Sequence, residues 1–192
     1  MRTLLIPGLL ALLLTACGGD AADAPATPTV TAAPPAPEMG ARIRAMEDTL
    51  FAKTVFDRRG AQALLDVYKA YAKAFPSDSM APEYLFRAAG MSKGLGGPQE
   101  AVQLYDRIIK EYPKWGRLAD TYYLRAFTID ADLKQKGPAK QAYEEVIARF
   151  PDHRFAKDAK AMIQNLQYTD EELIERFRRM NDSIEAAEAK AR

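Results

Sequence analysis

Three stretches of this chain close in the same way, and that repetition restricts the fold more than any other feature. Leu64, Tyr68, Tyr71 and Pro76 are answered by Ala101, Tyr105, Ile108 and Pro113, then by Ala139, Tyr143, Val146 and Pro151. A small or apolar residue, a tyrosine four later, an apolar residue three after that and a proline five beyond describe one face of a helix and then its stop. The prolines lie 37 and 38 residues apart. Repetition at such a period predicts units that cannot bury their apolar faces alone and must stack on their neighbours.

The remaining pattern is helical as well. Val, Ile and Thr do not cluster into alternating runs, and no Asn-Gly or Asp-Gly hairpin turn occurs. Apolar residues at spacings of three and four, cut by Gly and Pro, predict helices over 41–56, 60–75, 81–94, 98–111, 118–134, 138–149, 155–166 and 170–188. Pro82 and Pro98 suit first-turn positions, where a missing N–H is harmless. Thr169 before Asp170-Glu171-Glu172 is the pattern of a capping box. The expected class is all-α: a solenoid of helical hairpins with repeat cores over about 56–166 and a last helix over about 170–188. In that last helix Leu173, Phe177, Met180 and Ile184 form one apolar stripe, which suits capping of the open end or pairing with a partner.

The three closing segments resemble the second helix and terminal proline of the tetratricopeptide repeat. Their first helices also correspond: Met80-Ala81-Pro82-Glu83-Tyr84-Leu85-Phe86-Arg87-Ala88 against Leu118-Ala119-Asp120-Thr121-Tyr122-Tyr123-Leu124-Arg125-Ala126. The period exceeds the usual 34 of that repeat, and Arg87 and Arg125 fall at or beside a position it normally fills with leucine. The turn Phe150-Pro151-Asp152-His153, followed by Ala156 and Ala159, is similar to those of bacterial envelope proteins of the BamD-like barrel-assembly and CpoB-like periplasmic-coordinator kinds. The resemblance covers about 56–166 and implies a stack whose first helices line a concave, partner-binding groove.

Ahead of the helices the chain reads differently. Met1-Arg2-Thr3, an eleven-residue apolar run from Leu4 to Leu14, and Leu14-Thr15-Ala16-Cys17 resemble a lipoprotein signal peptide with its lipobox. The expectation is cleavage after residue 16 and a lipid on Cys17, which places the protein in a bacterial envelope, at the outer membrane facing the periplasm. An eleven-residue run is too short to span a bilayer core that calls for about twenty helical residues. From Gly18 to Pro37 Ala, Pro, Thr and Asp dominate, and Val30 is the only large apolar residue. Residues 17–40 therefore read as acylated cysteine plus disordered tether, and 41–192 as the folded domain. The tether would reach on the order of 25 Å as a coil.

Composition narrows the function classes. With 27 basic against 26 acidic residues there is no excess of positive charge to favour nucleic acid. One cysteine allows no internal disulfide, and one histidine, His153, allows neither a metal cluster nor a nucleophile–histidine triad. Gly94-Leu95-Gly96-Gly97-Pro98 lacks the strand and lysine of a phosphate loop and reads as an inter-helix turn. The acidic pairs Glu144-Glu145 and Glu171-Glu172 point apart on a helix. Neither catalysis nor a cofactor is expected.

Binding remains. Tyr84 with Arg87 and Tyr122 with Arg125 recur on successive first helices, and these two residue types are enriched at the centres of interfaces. They are candidate groove contacts, with inter-helix packing as the alternative. Trp115, in the turn Pro113-Lys114-Trp115-Gly116, is a third candidate, as partner contact or local lid. The expected partners are other envelope proteins or unfolded outer-membrane protein segments.

Overall fold

The computed structural model describes residues 34–191. The proposed signal peptide, Cys17 and the tether as far as residue 33 lie outside the described residues. Eight helices follow in order: α1 Ala36–Phe51, α2 Arg58–Ala74, α3 Ala81–Gly94, α4 Pro98–Glu111, α5 Leu118–Phe127, α6 Lys136–Arg149, α7 Arg154–Asn165 and α8 Asp170–Ala191. A π-helical turn, Thr128–Asp132, continues α5. No strand occurs among the described residues. α1 begins at Ala36, within the stretch read as tether, because Pro35 and Pro37 bracket a helix start where their missing N–H groups cost nothing. It ends at Phe51 rather than 56, leaving a turn of irregular backbone before α2.

The repeated template is the core. Leu64, Tyr68 and Tyr71 on α2, Ala101, Tyr105 and Ile108 on α4, and Ala139, Tyr143 and Val146 on α6 are all buried. Each proline then stops its helix in one geometry. The preceding residues Phe75, Tyr112 and Phe150 have φ of −128°, −126° and −132°, because a residue before proline is pushed out of the helical region. Helix packing runs between chain neighbours, from α1 on α2 through to α6 on α7, the topology of a solenoid.

Starts are fixed locally. Asp57 caps α2 by accepting the Gly60 N–H at 2.9 Å. His153 caps α7, its Nδ1 accepting the Phe155 N–H at 3.3 Å, so this exposed turn residue has a structural task that its isolation in the sequence did not disclose. The capping box of α8 forms as expected: Thr169 Oγ1 accepts from the Glu172 N–H, and Glu172 accepts from the Thr169 N–H at 2.8 Å.

α8 covers the end of the stack only with its first turns. Leu173 and Phe177 border a cleft of about 330 Å³ with Met162, Leu166 and Tyr168. Phe177, Met180 and Ile184 stay about half exposed, at 48%, 49% and 49%. Capping therefore holds for one end of the predicted stripe and not for the rest.

These differences set an energetic ranking. Tyr143→Ala opens a hole at a fully buried position and should cost about 3–5 kcal/mol in urea unfolding. Met180→Ala and Ile184→Ala should cost under about 1 kcal/mol each, since half of each side chain is already in water. Equal losses at all three positions would mean that α8 is packed like the template helices.

Candidate functional site

The first helices α1, α3 and α5 are joined across one face by charge. Arg87 on α3 donates from Nη1 to Glu47 on α1 at 2.7 Å and from Nε to Glu83, one turn back, at 2.9 Å. Glu83 also accepts from Arg117, the residue before α5, at 2.9 Å. Tyr68, rising from α2, donates its hydroxyl to Glu47 at 2.5 Å. The result is a string, Glu47–Arg87–Glu83–Arg117, that spans three successive units.

The two signs differ in exposure. The carboxylate side chains of Glu47 and Glu83 are 13% and 19% exposed, whereas Arg87 and Arg117 are 40% and 44% exposed. The acids lie underneath and hold the guanidiniums in place for solvent or a partner. Burial alone would raise the Glu83 pKa and lower that of Arg87. The hydrogen bonds and charges between them outweigh it, so Glu83 sits below the usual carboxylate range and Arg87 above its ordinary value. Burial, with Glu47 as hydrogen-bond acceptor, pushes the Tyr68 phenol up.

Beside Arg87 lies a shallow depression of about 440 Å³ lined by Glu47, Phe51, Tyr68, Arg87, Gly90 and Met91. Its floor is Gly90. A Cβ built there would meet nothing within 4 Å, so no packing within the chain calls for glycine. In a helix interior glycine costs about 1 kcal/mol relative to alanine, and it suits a place where another chain comes close to the backbone.

The sequence-predicted contacts separate into two groups. Arg87 stands at the centre of the string. Tyr84 is 3% exposed, stacked on Tyr68 at 5.6 Å between centroids and edge-on to Tyr71 at 4.6 Å, so it is core and offers no surface to a partner. Tyr122, 6% exposed, is core as well, edge-on to Phe150. Arg125 does not line the same face. It pairs with Asp106 on α4 at 2.5 Å and Glu145 on α6 at 3.5 Å, reaching toward the second helices.

Trp115 joins the string at its far end. It is half-buried, edge-on to Phe86 at 5.6 Å, and the Arg117 guanidinium lies 4.0 Å from the Phe86 ring and 5.7 Å from that of Trp115. Its place at a junction between units is that of a packing residue with one open edge. Of the residues that sequence reasoning passed over, Glu83 was readable as an i,i+4 partner of Arg87. Glu47, Arg117 and Gly90 were not, because their roles depend on neighbours about 20 or more residues away.

The described residues hold no cluster of His, Cys, Asp or Glu arranged to bind a metal, and no helix among them is long and apolar enough to cross a membrane. The family model for the tetratricopeptide repeat matches residues 83–114 and 117–153, which are α3 with α4 and α5 with α6. Comparison with curated proteins returns no match. Residues 83–153 thus match two tetratricopeptide repeats, the described residues form an all-helical stack around them, and repeat stacks of this kind serve as extended protein-binding surfaces.

The string has a pH signature. Glu83 is depressed in the folded state, so its contribution is present above its unfolded pKa, about 4.3, and is lost as pH falls through the folded value. The gap in urea midpoint between the native chain and Glu83→Gln should therefore be full near about pH 6 and shrink below about pH 4. A gap that is constant across that range would show that the carboxylate charge contributes nothing.

Proposed function

We propose that this protein is a non-enzymatic, lipid-anchored scaffold of a bacterial envelope, attached through Cys17, that holds a segment of another envelope protein on the α1–α3–α5 face. The observation that carries the binding reading is the pairing of Arg87 with the bare helix surface at Gly90. Two partly buried carboxylates hold the guanidinium in place, so it loses little freedom when it meets a carboxylate or backbone carbonyl of a partner. The glycine admits that partner's backbone to the helix surface, and Phe51 and Met91 give its side chains an apolar border. The anchor rests on the apolar run and lipobox pattern that precede Cys17. More than one acyl chain is needed for stable attachment.

Gly90→Leu separates binding from folding. It should leave stability unchanged or raise it by up to about 1 kcal/mol, since the site is open and leucine is the better helix former. It should also remove the envelope proteins that crosslink to the native chain. Arg87→Glu should remove the same set and Arg125→Glu should not. If the crosslinked set survives Gly90→Leu and Arg87→Glu, the groove assignment fails. Cys17→Ala tests the anchor: the variant should leave the membrane fraction, and full retention there would refute acylation at this residue.

A second reading follows from the Phe150-Pro151-Asp152-His153 turn, where Phe150 packs on Tyr122 and Ala156 and Ala159 are buried behind it. Its likeness to BamD-like and CpoB-like proteins favours assembly of outer-membrane proteins or coordination of a cell-wall enzyme. General loss of outer-membrane barrels on depletion points to the former, and loss of a single complex to the scaffold or coordinator.

A further inference from the structure

Large apolar side chains left exposed among the described residues gather on α8 and at the turn between α1 and α2, with Met80 apart. In that turn Phe51 is 68%, Val55 77% and Phe56 65% exposed. Three large apolar side chains exposed within residues 51–56 mark an interaction site. The base of the turn is fixed. Asp57 caps α2, and Arg58 donates to the Leu95 carbonyl in the turn between α3 and α4 at 2.8 Å. Residues 18–33 hold one large apolar side chain, Val30, too few to cover three.

The charge around the apolar tip is predominantly positive. Lys53, Arg58 and Arg59 flank it, and the turn's only carboxylate, Asp57, is taken up by Lys53 and by the Gly60 N–H. Successive helices alternate in direction, so the turns that follow α1, α3 and α5 share one end of the stack. Lys93, Lys134 and Lys136 stand at that end too, with Asp130 and Asp132 among them. Aromatic and aliphatic tips ringed by lysine and arginine match the interface of an anionic bilayer, with rings at the acyl boundary and cations at the phosphates. A fluid bilayer takes up three exposed apolar side chains without a preformed cavity, whereas a folded protein partner would need one shaped to them.

We propose that the Phe51–Arg59 turn is a membrane-contact wedge: Phe51, Val55 and Phe56 enter the interfacial layer of an anionic phospholipid bilayer while Lys53, Arg58 and Arg59 hold its head groups. It is a second contact that does not require acylation at Cys17, and it adjoins the Arg87–Gly90 groove, with which it shares Phe51. If the chain is also anchored, the wedge lays the domain against the membrane instead of leaving it free on a tether.

The test uses the full-length chain with Cys17→Ser, which removes the lipid site and the only native thiol, and Val55→Cys carrying an environment-sensitive fluorophore. Vesicles are an equal mixture of phosphatidylethanolamine and phosphatidylglycerol, with phosphatidylcholine alone for comparison. On the anionic vesicles the fluorophore should shift to the blue and be quenched by nitroxides on the acyl chains. Adding Phe56→Asp should weaken that response by about tenfold or more, and phosphatidylcholine should give little of it. Three outcomes overturn the proposal. The emission could stay that of water while the chain sediments with vesicles through its apolar first residues. The response could be equal on neutral vesicles. Or a blue shift could grow with protein concentration without lipid, which would assign the turn to contact between copies of the chain.

Discussion

Everything in this stack depends on an aromatic seam between helices whose buried faces are otherwise alanine and larger aliphatic residues. Tyr105 lies 5.8 Å from Phe86, and Tyr143 lies 6.0 Å from Tyr123, one pair in each unit. Phe86 in turn meets Trp115, and Tyr123 stacks on Phe155 at 4.4 Å, so each unit passes its aromatic contact on to the next. Ala88, Ala89, Ala126 and Ala159 are buried, and small side chains let helices approach until those rings touch. Tyrosine suits the seam because its ring fills the junction while its hydroxyl can still reach a polar edge. Tyr68 uses Glu47, and Tyr143 uses Asp130 at 3.3 Å. Tyr105, buried without a carboxylate acceptor of that kind, has its phenol pushed up to about 12.

The binding face is a consequence of that seam. Because Tyr68 carries a hydroxyl to the edge of the first helices, Glu47 has a reason to sit there, and Arg87 then has a carboxylate to meet. Exposed ion pairs on their own contribute little to stability. These are partly covered and shared among three helices, so their main effect is to fix where two guanidiniums stand. A rigid donor on a floor of bare backbone is a different surface from a flexible arginine on a crowded helix, and it is the former that the chain presents.

Much of this fold was legible because repetition compounds weak signals. One tyrosine–proline spacing says little, whereas three in series define the helix face, the stop and the stacking together. Helix starts with side-chain logic, such as Thr169 with Glu172, were legible for the same local reason. The site was less so. Gly90 looks like an ordinary helix weakness until its surroundings are known to be empty, and Trp115 looks like a loop aromatic until Phe86 is found beneath it. The exposed half of the α8 stripe was invisible because periodicity reports that a face is apolar, not that anything lies against it.

The false pairing of Tyr122 with Tyr84 and of Arg125 with Arg87 has a single physical source. The helix starts Ala81 and Leu118 are 37 residues apart, and at that offset Leu85 matches Tyr122 and Ala89 matches Ala126, all four buried. The next starts, Pro98 and Lys136, are 38 apart, as are Tyr105 and Tyr143. The extra residue enters between them, at the π-helical turn Thr128–Asp132, for which α3 has no counterpart. A π turn is the usual way a helix absorbs one inserted residue. Carrying the offset of the second helices back onto the first rotates every assignment by about 100°. Tyr84 then falls on Tyr122 and Arg87 on Arg125, although their true counterparts are Thr121 and Leu124. Arg125 in fact holds the place of the fully buried Ala88, and only a long side chain could leave that place to reach Asp106 and Glu145 on the second helices. The groove is therefore asymmetric along its length: an arginine over bare backbone in one unit and a leucine at the matching position in the next.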